Sequence, residues 1–215
     1  MAKTIHPSKK PTTYEVIDNF ISAEQFLPLQ DLFLPERNAQ YTDGEKISAD
    51  QPISISTTGD GVSSTTTVTQ YFIPWVFRQK IAGYEWDDWD DPKAWKLFYM
   101  SHVVYQDKMG IMSPYYPLFH PLLDLLDLKT LKRITCNLFP NTEEVVEHAA
   151  HSDADFPHKT ALFYINTCNG YTTLEDGTKI DSVENRMLKF DGSGLHKSST
   201  TSDQTVRINV NISYF

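Results

Sequence analysis

The last segment of the chain, Val206 to Ser213, alternates without a break: Val206, Ile208, Val210 and Ile212 fall on one face of an extended strand, and Arg207, Asn209, Asn211 and Ser213 on the other. Such a strand needs a covering layer for its apolar face. Its polar row, headed by Arg207, must meet either water or an internal polar cavity. Five further stretches upstream read as short strands bounded by turn residues: KRITCNLF from Lys132, VVEHAAH, KTALFYIN, YTTLEDGTKI and RMLKF. Asp176-Gly177 suits a two-residue hairpin turn. A run of short strands that follows helices implies an α+β, mainly β chain: a double-stranded β-helix, or jelly roll, with helices packed on one outer face.

The first 131 residues supply those helices. After a Lys- and Pro-containing tail, 1–13, the stretch Tyr14 to Phe20 reads as a strand. Ser22-Ala23-Glu24-Gln25 then fits a capping box, and Phe26, Leu29, Leu32 and Phe33 form the apolar stripe of a helix that runs to about Leu34. Leu118, Leu122, Leu125 and Leu126 predict a second helix over 118–128, with Pro121 in its first turn. Between them, 36–70 is rich in turn-forming and polar residues and suggests loops with one hairpin, or a rim over a site. TVTQYFIPWVF, from Thr67, is expected to form a strand. The acidic aromatic segment 84–95, with Trp86 and Trp89, reads as a solvated loop anchored by its tryptophans, or as a lid or partner surface.

A length of 215 residues suits one domain, 1–215, in which 14–131 support the strands of 132–215. No apolar run approaches a membrane-spanning helix, and the first residues carry no secretory apolar segment, so a cytoplasmic protein is expected. Cys136 and Cys168 are too few for a disulfide framework and read as reduced, buried thiols. The net charge of -9, with no Lys/Arg run, disfavours nucleic acid as a partner and favours a divalent cation or a neutral or basic substrate.

His151-Ser152-Asp153 is weak evidence by itself. Its company strengthens it, because His196 and then Arg207 follow, each beside an expected strand. Residues i and i+2 at a strand end point the same way, so His151 and Asp153 can reach one ion while His196 arrives from a neighbouring strand. Two imidazoles and a carboxylate on one face of an octahedron suit non-haem Fe(II) and leave positions open for substrates.

With Tyr164 in KTALFYIN, His196 ending NRMLKFDGSGLH, and Arg207 in VRINVNISYF, the pattern resembles the prolyl-4-hydroxylase-like branch of the 2-oxoglutarate/Fe(II) dioxygenases, closest to short members from viruses and bacteria. The resemblance covers about Arg133 to Phe215, and more loosely Tyr14 to Leu34. It implies that His151, Asp153 and His196 are the metal ligands and catalytic centre. It further implies that Arg207 and Tyr164 hold the far carboxylate of 2-oxoglutarate, that Asn137 contacts this cosubstrate, and that O₂ and a protein, peptide or small-molecule substrate are the other partners. The implied reaction is hydroxylation, coupled to decarboxylation of 2-oxoglutarate to succinate and CO₂. Asn169-Gly170-Tyr171-Thr172 departs from the family's Gly-Gly-Glu-Thr, a difference expected to bear on the substrate rim. Asn209 likewise stands where Ser or Thr is common.

Other readings of the same residues remain. Two His and one Asp can hold Zn²⁺ for hydrolysis, with Asp155 or Glu147 as the nearest bases, but that leaves Arg207 unexplained. A jelly-roll module without catalysis would instead use its rim for protein contacts. His148 and His158 compete as ligands, yet alternation and a loop position point both elsewhere.

Overall fold

The computed structural model describes residues 12–34, 53–59, 62–68, 73–79 and 97–215. Most of the tail, the acidic segment with Trp86 and Trp89, and part of 36–70 lie outside them. The chain enters through β1 (Tyr14–Ile17) and then α1 (Ala23–Phe33). Ser22 caps α1 through the expected box: its side chain accepts from the Gln25 backbone N–H, and the Gln25 side chain accepts from the Ser22 N–H. Phe26, Leu29 and Phe33 are buried, as the stripe requires.

A hairpin of β2 (Ile53–Gly59) and β3 (Val62–Val68) follows, and then β4 (Val76–Arg78). The strand expected over TVTQYFIPWVF therefore does not form as one piece. Ile73, Pro74 and Trp75 join no strand, since Pro74 lacks the N–H a ladder needs, and β4 begins at Val76. β5 (Tyr99–Gln106) and β6 (Gly110–Ile111) come next, then a 3₁₀ turn over Tyr116–Phe119 and α2 (His120–Asp124).

The helix expected over 118–128 is thus shorter than its leucine spacing suggested. Pro121 cannot donate back to Pro117, so the first turn closes instead by the His120 N–H on the Pro117 carbonyl. The Leu126 N–H bonds Leu123 three residues back, which tightens the end. Leu118, Leu122 and Leu126 stay buried, but Leu125 turns outward and is 55% exposed.

The remaining strands are β7 (Leu131–Pro140), β8 (Lys159–Tyr164), β9 (Tyr171–Leu174), β10 (Lys179–Asp181), β11 (Arg186–Asp191), β12 (His196–Lys197) and β13 (Val206–Tyr214). No strand forms over VVEHAAH. It meets the 196–201 segment only through single bridges at Glu147 and His151, because hydroxyls such as Thr200 Oγ1 take backbone N–H groups (Val146 N, 2.9 Å) that a ladder would use. The β9–β10 turn also differs from expectation. Leu174 and Thr178 pair around three residues, with Gly177 at φ 93°, the left-handed position of a bulged turn.

The large sheet runs β1-β11-β8-β13-β7-β5-β4, with β6 on β5, and every pairing is antiparallel. A smaller sheet, β10-β9-β12, is also antiparallel. The outer face of the large sheet, including Ile134, Cys136, Phe163, Met187, Ile208 and Val210, packs under α1 and α2. A second cluster of Leu162, Tyr164, Leu188 and Phe190 with Leu174 and Ile180 lies between the two sheets. This is a jelly-roll core with helices on one outer face. Cys136 and Cys168 are free and buried, and among the described residues no helix is long and apolar enough to cross a membrane.

Phe163 ties α1 to β8 through ring contacts with Phe20 and Phe26. Phe163→Ala is expected to lower unfolding free energy by about 3–5 kcal/mol, and Ser22→Ala by about 1 kcal/mol, in urea titrations.

Candidate metal centre

Backbone pairing builds the site. His151 and His196 exchange both backbone hydrogen bonds (2.9 and 2.8 Å), which sets their rings side by side with centroids 4.5 Å apart. The Asp153 N–H bonds the Gly192 carbonyl at 3.1 Å and turns its carboxylate back over the same place. One ligand atom from each of His151, Asp153 and His196 then falls within 4.8 Å of the others. The spacing of two between His151 and Asp153 works as expected, although a bridged loop rather than a strand end delivers it.

The surroundings prepare these groups for a cation. Nδ1 of His151 lies 3.4 Å from the Ala149 carbonyl, and Nδ1 of His196 lies 3.2 Å from the Gly194 carbonyl. With the proton on Nδ1, each ring keeps the Nε2 lone pair for a ligand. His196 Nε2 stands 3.9 Å from Asp153 Oδ1. Burial, then the charge of His196, pushes the His151 pKa down and favours the neutral ring that metals bind. For Asp153 burial works toward protonation, but the charge of His196 and hydrogen bonds from Asn211 and Thr160 outweigh it and hold the carboxyl below its usual range. Thr160 Oγ1 donates to Asp153 Oδ2 at 2.8 Å, and Asn211 Nδ2 at 3.1 Å. Two basic nitrogens and one ionised oxygen, each oriented from behind, fit a divalent transition metal.

Arg207 is fully buried on the inner face of β13. Its terminal nitrogens donate to the Ser199 carbonyl (3.2 Å) and Thr172 Oγ1 (3.0 Å), while Nε has no partner. Among the described residues no carboxylate pairs with it. The guanidinium lies 5.6 Å from the ring centroids of both Phe139 and Tyr164, and the Tyr164 hydroxyl donates to the same Thr172 oxygen at 2.9 Å. A buried guanidinium without a counter-ion is costly, and a carboxylate ligand would relieve it. Gly170 bears on this group rather than on the rim: a Cβ there would come within 2.6 Å of Arg207 Cδ. Thr172 is likewise interior.

A cavity of about 430 Å³ opens beside the triad, lined among others by His151, Asp153, Asn137, Arg133, Thr135 and Asn211. Asn137 thus reaches the cavity and donates to Asn209 Oδ1. Arg207, Tyr164 and His196 do not line it, but Phe139 borders both the cavity and Arg207. Sequence reasoning overlooked Arg133, Thr135 and the partners of Asp153. The signal was present in KRITCNLF, where alternation puts Arg133, Thr135 and Asn137 on one face.

The other titratable candidates are not part of the triad, although His158 borders a second cavity together with Asp153. Glu147 is held by Lys197 (2.7 Å) and Thr173 (2.6 Å), which leaves it poorly suited to act as a base. His158 is buried, with Nδ1 2.8 Å from the Phe156 carbonyl. His148 is buried against Phe139 with Nδ1 2.6 Å from Ser198 Oγ. Burial, aided by the charges of Arg207 and His151, pushes the His148 pKa down to about 3. Its folded pKa lies below the unfolded value of about 6.5, so this stability is present above that value and is lost as pH falls toward 3. Between pH 6 and 4 the unfolding free energy should fall by about 1.4 kcal/mol per pH unit through His148, and His148→Gln should flatten the slope by that amount in urea titrations at stepped pH.

No protein-family model matches the sequence, and no curated protein matches it. Solved structures do. AviO1 from Streptomyces viridochromogenes aligns with a TM-score of 0.51 at 10% identity, covering 96% of this chain and 91% of that one. A prolyl hydroxylase from Trichoplax adhaerens, in complex with a hypoxia inducible factor peptide fragment, aligns at 0.49 and 13% identity over 94% and 83%. An oxidoreductase of the 2OG-Fe(II) oxygenase family from Burkholderia pseudomallei aligns at 0.49 and 8% over 94% and 84%. At 10% identity the likeness to AviO1 is one of fold alone.

Proposed function

We propose that this chain is a single-domain Fe(II)- and 2-oxoglutarate-dependent dioxygenase that hydroxylates a C–H of an amino-acid unit, either a prolyl or other residue in a protein or a free amino acid. The observation that carries this reading is the pairing of a two-His, one-carboxylate cluster with a buried arginine that has no carboxylate of its own. A zinc hydrolase would use the first but leaves the second unexplained. A binding module needs neither.

In this reading His151 and His196 offer Nε2 and Asp153 offers its carboxylate to the metal, and Asn211 and Thr160 keep that carboxylate ionised and aimed. Bound Fe(II), together with 2-oxoglutarate and O₂, supplies an oxidant that converts the substrate C–H to C–OH while 2-oxoglutarate becomes succinate and CO₂. Arg207 receives the far carboxylate, with Tyr164 and Thr172 completing the donor set around it. Asn137, on the cavity wall, gives one amide N–H to Asn209 Oδ1 and keeps the other for the cosubstrate. Phe139 and the inter-sheet apolar cluster exclude water from the charged pair, which strengthens it. The ligand carboxylate and a dianionic cosubstrate are matched by the dication and Arg207, so the pocket is near neutral when filled.

Two outcomes check these roles. Arg207→Gln should weaken 2-oxoglutarate binding to the Mn(II)-loaded protein by about 10- to 100-fold, with Mn(II) affinity little changed, in calorimetric titrations. Equal loss of both would remove Arg207 from this role. Asn211→Ala should weaken Mn(II) itself by about 10- to 100-fold, followed by electron paramagnetic resonance, because Asp153 loses a partner that orients it. Unchanged affinity would count against the triad as the metal site.

A further inference from the structure

The wall of the cavity holds groups that the proposed chemistry does not use. β7 presents Arg133, Thr135 and Asn137 inward at alternate positions. Asn137 has its partner in Asn209, but Arg133 Nε and Thr135 Oγ1 are buried with no hydrogen-bond partner. Unpaired buried donors are costly. Both residues line one wall of the same cavity, so a small rotation of either side chain offers its unpaired donor to an acceptor bound there. Asp153 does not consume Arg133: the nearest guanidinium nitrogen stands 3.6 Å from Asp153 Oδ1, beyond a good hydrogen bond.

Charge points the same way. Once the metal, Asp153, Arg207 and a dianionic cosubstrate balance, Arg133 remains, as does Arg78 at the cavity edge, where its Nε donates to Ser101 at 2.8 Å. Geometry separates Arg133, whose side chain is 34% exposed, from the fully buried Arg207. Arg133 pairs across the sheet with Ser213, and Phe139 pairs with Arg207, so they stand six residues apart along β13, about 20 Å of strand. A short diacid that chelates the metal and ends on Arg207 leaves Arg133 with only the shared Asp153 carboxylate, 3.6 Å away, as an anion.

We propose that Arg133 and Thr135 form the carboxylate-binding subsite for the primary substrate, which is a free amino acid or another small carboxylic acid whose carboxylate lies close to the reacting C–H. This rests on the oxygenase reading and narrows it: a mid-chain residue, whose carboxyl is an amide, does not fill the subsite. Arg133 Nε–H and the Thr135 hydroxyl donate to the carboxylate, and Arg78 adds attraction at the entrance to a chain that is otherwise acidic.

The probes are butyrate and butyramide, added to the Mn(II)-loaded protein saturated with 2-oxoglutarate and followed by paramagnetic relaxation of their protons. Butyrate should bind saturably near the metal, and butyramide at least about 10-fold more weakly. Arg133→Gln should lose butyrate by about 10-fold or more while Mn(II) and 2-oxoglutarate affinities stay within about 2-fold, and Thr135→Val should lose a smaller part. Arg133→Lys keeps the charge without the Nε donor and should fall between, with the thermal melting curve reporting that each variant folds.

Butyrate binding that is absent, that butyramide matches, or that survives Arg133→Gln overturns the proposal. So does a loss of 2-oxoglutarate as large as that of Arg207→Gln, which would make Arg133 a cosubstrate residue. Failure of the oxygenase reading is visible separately, as absence of Mn(II) and 2-oxoglutarate binding by the unaltered protein. Arg133-dependent butyrate binding is then read on the metal-free protein by saturation transfer.

Discussion

The pair of backbone hydrogen bonds between His151 and His196 is the constraint on which the site depends. It joins the loop after β7 to the short strand β12, two parts of the chain 45 residues apart, and it closes a seam that the Glu147–Ser199 bridge and the Glu147–Lys197 ion pair begin. Once the bridge exists, both imidazoles stand on one side of it, and the Asp153–Gly192 hydrogen bond brings the carboxylate to the same place. Three groups whose mutual repulsion or desolvation would scatter them are thereby held by neutral backbone bonds. Their positions do not depend on an ion to gather them, which is what pre-organisation requires of a metal site.

A second buried charge is handled differently. Asp153 is surrounded by donors, whereas Arg207 is surrounded by rings, a hydroxyl and a carbonyl, with one donor left over. The jelly roll makes this tolerable, because the inner faces of two sheets provide a polar lane between apolar clusters. β13 shows the division most clearly: its outward residues belong to the core beneath the helices, and its inward ones run from Arg207 through Asn209 and Asn211 to Ser213. The lane ends at Asp153. Charge is thus distributed along one strand, the cation at one end and the ligand carboxylate at the other.

Several features were legible without coordinates because they obey local rules. The capping box at Ser22, the strand alternation of β7 and β13, and the stripe of α1 each follow from periodicity or from a single side chain meeting its own backbone. Local rules misled where a competing partner intervened. A three-residue closure of Leu126 on Leu123 ended a helix that leucine spacing favours, and the Thr200 hydroxyl took a backbone N–H of the ladder that VVEHAAH offers. Gly170 and Thr172 were assigned to the rim because nothing local reveals that they back onto Arg207.

By itself the sequence determined which residue types were available and which faces they would occupy: an inward polar row on the last strand, two histidines and an aspartate at workable spacing, and too little apolar length for a membrane helix. Those are consequences of side-chain alternation and covalent spacing. Only the tertiary structure decided that Asp153 meets Asn211 and Thr160, that Arg207 lies closed behind Phe139, and that Arg133 and Thr135 line one cavity wall, each with a buried donor unpaired. The reason is physical. Which polar groups end as partners, and which end without one, depends on cross-strand register between segments far apart in the chain, and register is set by how the whole sheet closes.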